Sequence, residues 1–233
     1  MTVIPRLRDL KDSIRRASVE NGRDPGKIRL VLVTKTTPPE KIEEAYETGE
    51  RDFGENRVQE WLEKKERLPR DIRWHLIGHL QTNKVKQVVG EIFLIHSLDR
   101  LELADAIERT AKSKGINEVP CLVQVNMSGE ESKFGLAPEA VEGFIEQMSL
   151  RPSIKLLGLM TIGPLTEDQG RIRECFRKSR ELLERLKQEF PQYGWDILSM
   201  GMSGDYRIAI EEGANMLRIG SLVFPRGGKN EPA

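Results

Sequence analysis

The chain has 233 residues, of which 38% are hydrophobic and 32% charged, the composition of an ordinary soluble protein of one large or two small domains rather than of a disordered one. Lysine plus arginine number 37 and aspartate plus glutamate number 37, so the zero formal charge gives no general pull toward nucleic acid or an acidic membrane. The start, Met1-Thr2-Val3-Ile4-Pro5-Arg6, lacks an apolar core of signal-peptide length, and no run approaches the ~20 apolar residues of a membrane span, so a cytoplasmic location is expected.

Alternation of apolar runs and amphipathic stretches sets out the elements. A leading helix is predicted over 5–21, stopped by Gly22. Then follow a strand at 30–34, a helix at 39–48, a strand at 51–54, a helix at 57–66, and strands at 73–77 and 92–95. The chain continues with a helix at 101–114, a strand at 121–126, a helix at 138–148, a strand at 155–160 and a helix at 167–190. A strand at 197–200, a helix ending near Glu212 and a strand at 216–219 complete the series. Strands apolar on both faces and separated by helices imply a parallel sheet, and eight of them imply a single α/β domain, a closed (β/α)8 TIM-type barrel with an extra N-terminal helix. The alternative is a doubly wound open sheet. The barrel is expected to occupy 1–227, with a frayed polar tail at 228–233.

In such a barrel the chemistry lies at the carboxyl ends of the strands. Lys35 follows the run Leu30-Val31-Leu32-Val33-Thr34 and precedes Thr36-Thr37-Pro38-Pro39. At the rim of a buried sheet, desolvation and neighbouring cations disfavour an ammonium, and a lysine amine can then attack a carbonyl. A strand-end lysine snorkelling to water is the plainer reading. The later segment Ser199-Met200-Gly201-Met202-Ser203-Gly204-Asp205 leaves a strand and opens a helix, so backbone N–H groups and the Ser203 hydroxyl could hold a phosphate. Arg218-Ile219-Gly220-Ser221 supplies a second half-site in the neighbouring loop. A serine that only caps the helix, with glycines that only make the turn, is the alternative.

Other polar residues are weaker candidates. His75 lies within a strand and is expected to be packed, whereas His79 and His96 at strand ends could reach a ligand. No HxH or HExxH spacing is present, and Cys121 and Cys175 have no cysteine or histidine at ligand spacing, so neither a metal site nor a disulfide framework is expected. Glu55, Asp99 and Asp205 could be acids or bases, but loop carboxylates more often cap helices, and Asp99 before Arg100-Leu101 looks like a cap. Met160, Met200 and Met202 would line the barrel mouth or fill core.

A strand-end lysine, a phosphate cradle in the last two loops and a barrel together describe a pyridoxal 5′-phosphate site of the alanine-racemase type. The chain resembles the pyridoxal phosphate homeostasis protein family in Val33-Thr34-Lys35-Thr36, Phe53-Gly54-Glu55-Asn56-Arg57-Val58-Gln59-Glu60 and Trp74-His75-Leu76-Ile77-Gly78-His79-Leu80-Gln81-Thr82-Asn83-Lys84. The resemblance continues in His96-Ser97-Leu98-Asp99, Ser132-Lys133-Phe134-Gly135, Gly158-Leu159-Met160-Thr161, Leu198-Ser199-Met200-Gly201-Met202-Ser203-Gly204-Asp205 and Leu217-Arg218-Ile219-Gly220. It implies that Lys35 carries the cofactor as a Schiff base, with the phosphate on Ser199, Ser203 and Gly204 and on the Gly220 and Ser221 loop. It also implies Arg218 against the pyridine nitrogen, Asn56 near the ring hydroxyl, and His79 and Met160 near the ring face. Thr37 stands where the family usually has a second lysine, and Pro225 where it usually has a glycine.

A racemase of this barrel type needs a second base from an additional domain, for which the stretch after Gly220 is too short. The expectation is therefore a cofactor-holding protein of vitamin B6 homeostasis, without specific catalysis and monomeric, with apo-enzymes as possible acceptors and no nucleic acid or membrane partner. A single-domain racemase or lyase using Lys35 is the alternative. A phosphate-binding barrel enzyme without the cofactor is a third reading. Lys133 is either a second ligand contact or an ordinary loop lysine.

Overall fold

Strand β1 (Arg29–Val33) pairs in parallel with β8 (Met216–Ile219), Val31 opposite Arg218, and this contact closes the sheet into a barrel. The open-sheet alternative is thereby excluded. A computed structural model describes residues 2–224. Between the closing strands come α2 (Pro39–Tyr46), β2 (Asp52–Glu55), α3 (Val58–Lys65), β3 (Arg73–Leu76), α4 (Val85–Val88), β4 (Leu94–Leu98) and α5 (Leu101–Lys114). They are followed by β5 (Val119–Gln124), α6 (Val141–Glu146), β6 (Ile154–Met160), α7 (Gln169–Glu189), β7 (Ile197–Ser199) and α8 (Tyr206–Glu211). The strands lie in chain order around the barrel, each parallel to the next.

Both faces of the strands are covered, which is why their sequences are apolar throughout. Val31, Leu94, Leu122, Met160 and Met216 pack inside the barrel, while Leu32, Phe53, Leu76 and Ile95 join the larger core beneath the helices. Alternate residues of a strand point to opposite faces, so one short strand serves both layers.

The leading helix α1 (Val3–Glu20) is not an addition to the ring. Its buried stripe, Val3, Leu7, Leu10, Ile14 and Ala17, follows helical spacing. The Val3 N–H donates to Glu44 Oε2 of α2 at 3.2 Å, and Ser13 Oγ lies 2.8 Å from the Tyr206 hydroxyl of α8. Helix α1 thus fills the gap between α8 and α2, where a helix after β8 would otherwise stand.

Some boundaries differ from the sequence reading. Strand β4 runs to Leu98 rather than stopping at Ile95, so His96 and Ser97 are buried within it. The predicted helix at 138–148 is α-helical only in its middle: 3-10 turns Pro138–Ala140 and Gln147–Leu150 flank α6. Asp99 does not cap α5; Arg100 occupies the cap position, and Asp99 accepts from Arg100 Nη1 at 2.6 Å. Asp168 does cap α7, accepting from the Gly170 and Arg171 N–H groups at 2.9 and 3.2 Å. The predicted tail and Pro225 lie outside the described residues.

Candidate functional site

Lys35 stands on a tight turn at the end of β1. The Thr37 N–H donates to the Thr34 carbonyl at 2.9 Å, so Lys35 and Thr36 are the two central residues. Thr36 has φ 59°, alone among the described non-glycine residues in the left-handed region, which costs a β-branched side chain about 1–2 kcal/mol. Helix α3 holds the turn in place. Glu60 Oε2 accepts from the Thr36 N–H at 3.1 Å. Lys64 Nζ donates to the Thr34 carbonyl at 2.7 Å and to Glu55 Oε1 at 2.6 Å, and the Thr34 hydroxyl donates to the same Glu55 oxygen at 2.6 Å. Glu55 is therefore a buried support for the turn and not a loop acid or cap. Burial pushes its carboxyl above the ordinary value, opposed by the hydrogen bonds from Lys64 and Thr34.

The sequence reading missed Lys64 and Glu60. Their i,i+4 spacing on a predicted helix was the available signal, and the lysine's position on the apolar face of that helix was the warning that it is buried. Thr37, at the position where a lysine is usual in the family, is buried and closes the turn.

The Lys35 turn forms one wall of a cavity of about 620 Å³ at the carboxyl ends of the strands. Lys35 itself is exposed there, so the protein alone does not supply the water-poor setting expected at a strand end. Asn56, His79, Ser203, Gly204, Arg218, Gly220 and Ser221 line the same cavity. Met160 and Ser199 do not. Met160 is fully buried in the barrel interior with Val31, Leu94, Leu122 and Met216. Ser199 is also fully buried, and its hydroxyl accepts from Arg218 Nη1 at 2.8 Å, so it touches the cavity only through the arginine.

On the side of the cavity next to β1, the loops after β7 and β8 present backbone donors. Among the described residues, the N–H groups of Ser203, Gly204, Gly220 and Ser221 have no protein acceptor. Unpaired N–H groups that converge in a concave loop form an anion site. The Ser203 and Gly204 groups belong to the turn before α8 and not to its first helical turn, because the short helix starts only at Tyr206, and the Gly220 and Ser221 groups belong to the loop after β8. Gly201 makes the turn possible: its φ is 93°, and a Cβ there would lie 2.5 Å from that of Ala209. A Cβ on Gly220 would lie 2.8 Å from the Val33 carbonyl oxygen, so only glycine lets the second loop approach β1 this closely. Asp205 Oδ1 accepts from the Met202 N–H at 2.5 Å and fixes the first loop. Burial raises the Asp205 carboxyl, while the Met202 hydrogen bond and the charge of Arg218 pull it down.

Arg218 lies between these walls. Its second donor, Nη2, reaches the Thr161 carbonyl at 2.8 Å, and burial pushes the guanidinium down to about 10, still charged at neutral pH.

The third side of the cavity comes from the loop of Lys133, which the sequence left as either a second ligand contact or an ordinary loop lysine; Ser132, Lys133 and Phe134 line the cavity. Phe134, 58% exposed, stacks on His79 with ring centroids 4.2 Å apart and planes at 24°. Its carbonyl accepts from Gln124 Nε2 at 3.0 Å. Lys133 Nζ is tied to the Gly163 carbonyl at 2.6 Å and to Glu130 Oε2 at 2.8 Å, which joins the loops after β5 and β6. His79 Nδ1 faces Asp99 Oδ2 at 3.6 Å. The Ser132-Lys133-Phe134-Gly135 motif was visible in the sequence, but its fold-back over His79 depends on contacts between separate loops.

Comparison with known proteins places the chain in a family. The family model of the alanine racemase N-terminal domain matches residues 21–225. The pyridoxal phosphate homeostasis protein of Aquifex aeolicus is 46% identical over 226 residues, covering 96% of this chain and 98% of that protein. The protein of the same name from Pseudomonas aeruginosa is 37% identical over 233 residues, covering 100% of this chain and 99% of that protein. Among solved structures, PipY of Synechococcus elongatus PCC7942, with PLP bound, superposes with a TM-score of 0.83 at 34% identity, covering 96% of this chain and 100% of that one. An alanine racemase of Clostridium difficile shares the fold, with a TM-score of 0.68 at 18% identity, over 94% of this chain and 58% of that one. With this barrel, this order of motifs and full-length relatives at these identities, the chain belongs to the pyridoxal phosphate homeostasis protein family, built on the alanine racemase N-terminal barrel.

Proposed function

We propose that the chain binds pyridoxal 5′-phosphate in this cavity, with Lys35 holding it as a Schiff base, and that it serves vitamin B6 homeostasis by holding and handing over the cofactor without specific catalysis. The observation that carries this reading is that Lys35 and the four unpaired N–H groups of the Ser203 and Gly220 loops line one cavity.

The residues fit the three chemical parts of this ligand. Lys35 Nζ has no hydrogen-bond partner among the described residues and is free to meet an aldehyde, whereas Lys133 is engaged by Gly163 and Glu130. The Ser203, Gly204, Gly220 and Ser221 N–H groups suit a phosphate without any cationic side chain. Arg218 has five N–H donors, accepts no proton, and would keep a facing pyridine nitrogen unprotonated. When bound, the cofactor supplies an aldehyde for amine capture and an electron sink, which an unprotonated ring nitrogen weakens. Met160 and Ser199 have no direct contact in this reading; Asn56 and His79 stand beside the ring.

The names of the homeostasis relatives and the PLP-bound PipY structure support the ligand assignment. The site is complete within one chain, which supports a monomer, with apo-enzymes as the acceptors. Among the described residues no helix is long and apolar enough to cross a membrane, which accords with action in the cytoplasm.

Borohydride reduction of the loaded protein followed by peptide mapping should place the pyridoxyl mass on Lys35. Recovery mainly on Lys133 or another lysine would overturn the assignment. In parallel, deuterium incorporation at Cα of alanine should stay near the rate of free pyridoxal phosphate with a simple amine, while an apo-aminotransferase is reactivated. Stereochemically clean turnover at about 1 per second or faster would establish a racemase instead.

A further inference from the structure

Inside the barrel, behind Arg218 of the cavity, runs a line of polar side chains that take no direct part in binding a ligand there. Arg218 Nη1 donates to Ser199 Oγ at 2.8 Å, and Ser199 Oγ lies 3.2 Å from His96 Nδ1. His96 Nε2 lies 2.9 Å from His75 Nδ1, and His75 Nε2 lies 3.0 Å from Asp52 Oδ1. All five residues are buried, and the His96 to Ser199 contact joins β4 to β7, which are not neighbours in the sheet, so the line crosses the barrel interior. At the amino end, Arg73 Nε and Nη2 hold the Asp52 carboxylate at 2.9 and 2.7 Å. The line therefore extends from the amino end of the barrel to the arginine in the cavity.

Its two ends fix its direction. An arginine only donates and a carboxylate only accepts. With both imidazoles neutral, one arrangement satisfies every contact. The Ser199 hydroxyl donates to His96 Nδ1, His96 Nε2–H donates to His75 Nδ1, and His75 Nε2–H donates to Asp52. The charges around the rings favour neutrality. Burial pushes His75 down from its ordinary value against the pull of Asp52, with Arg29 and Arg73 adding to the depression. Burial likewise pushes His96 well down, helped by His75 and Arg218.

We propose that Asp52, His75, His96 and Ser199 form a one-directional hydrogen-bond relay that positions Arg218. The carboxylate at the amino end selects the tautomer of both imidazoles, and the last link turns a lone pair of Ser199 toward the guanidinium. A change of charge at the amino end is thereby read at the cavity, across the full depth of the barrel. The relay is a property of the ligand-free chain; only the assignment of Arg218 to the ring end of a ligand rests on the function proposed above.

The test is nitrogen-15 NMR of the full chain labelled at histidine, without ligand, between about pH 6 and 8. Both His75 and His96 should be neutral and protonated at Nε2 throughout. In Asp52→Asn the amide oxygen should turn to Arg73 and its NH2 to His75, so that the proton moves to Nδ1 in both rings. An imidazolium or an Nδ1–H tautomer in either ring of the wild type, or an unchanged His96 in a folded Asp52→Asn, would overturn the relay. Should Asp52→Asn not fold, Ser199→Ala gives the second reading. It removes one Arg218 acceptor, so retention of pyridoxal and of pyridoxal 5′-phosphate should weaken alike, by about ten-fold; loss confined to the phosphorylated form would overturn the role at Arg218. A wild-type chain that retains neither compound defeats the proposed function, while the tautomers still decide the relay.

Discussion

Lys64 Nζ and Glu55 Oε1 lie 2.6 Å apart beneath the Lys35 turn, both side chains at most 9% exposed. The pair is one of buried opposite charges whose main value is geometric: the same ammonium holds the Thr34 carbonyl, one residue before the lysine that faces the cavity. Removing one partner leaves the other charge buried and uncompensated, which costs far more than the pair contributes.

Lys64→Met should therefore destabilise the fold by about 3–5 kcal/mol at pH 8. A carboxyl whose value is raised on folding binds its proton more tightly in the folded state, so it favours folding at low pH and that contribution is lost as pH rises through the raised value. Glu55 is raised by burial, and loss of Lys64 removes the chief group opposing this. The deficit should be smaller near pH 5 than at pH 8. Urea unfolding at the two pH values checks it, and a deficit independent of pH would contradict an ionised buried pair.

Asp52 behaves in the opposite sense. Burial would raise its carboxyl, but the hydrogen bonds from Arg73 and His75 outweigh this and hold it well below the ordinary range. Its contribution is present above the unfolded value of about 4 and is lost as pH falls below that toward the folded value. Asp52→Asn should flatten the fall in stability between about pH 4 and 2. Acid titration followed by circular dichroism measures this, and parallel curves for the two proteins would remove Asp52 from the acid limb.

Thr36 offers a stabilising change. Its left-handed backbone costs about 1–2 kcal/mol as threonine, and a glycine relieves that while adding about 0.4–1 kcal/mol of unfolded-state entropy. Thr36→Gly should raise stability by about 0.5–1 kcal/mol, read as a higher urea midpoint. A lower midpoint would mean that the threonine side chain makes a contact worth more than the strain.

The Ser203 loop gives a ligand-specific outcome. A hydroxyl hydrogen bond to a charged phosphate contributes about 1.5–3 kcal/mol, so Ser203→Ala should weaken retention of pyridoxal 5′-phosphate by roughly ten-fold or more and leave pyridoxal nearly unaffected. Equilibrium dialysis with the two compounds separates them. Equal weakening would place Ser203 in the fold and not in the anion site.

What could be read in advance follows from where each signal resides. Lys35 at a strand end, and Gly201, Ser203, Gly204 and Gly220 in the last two loops, declare themselves by local pattern, because a buried strand, a tight turn and a backbone anion cradle each need particular residue types in sequence. His96 and Ser97 did not. Read locally, two polar residues after Phe93-Leu94-Ile95 end a strand, yet β4 continues through them because His75 and Ser199, 21 and 103 residues away along the chain, supply the hydrogen bonds that let His96 be buried. Phe134 over His79 and Lys64 under Thr34 are of the same kind.

The amino-acid sequence by itself determined the eight alternating strands and helices and the two glycine-bearing loops that share the cavity with the lysine, since hydrophobic period and glycine placement act over a few residues at a time, while the pairing of β1 with β8 decided closure into a barrel. Only the tertiary structure decided which polar groups meet. It made α1 the helix that completes the ring, drew Met160 and Ser199 back from the cavity wall, and aligned Arg218, Ser199, His96, His75 and Asp52. The physical reason is that burying a polar side chain is costly unless a partner satisfies it, and for His96 in this closed barrel those partners come from strands remote in sequence.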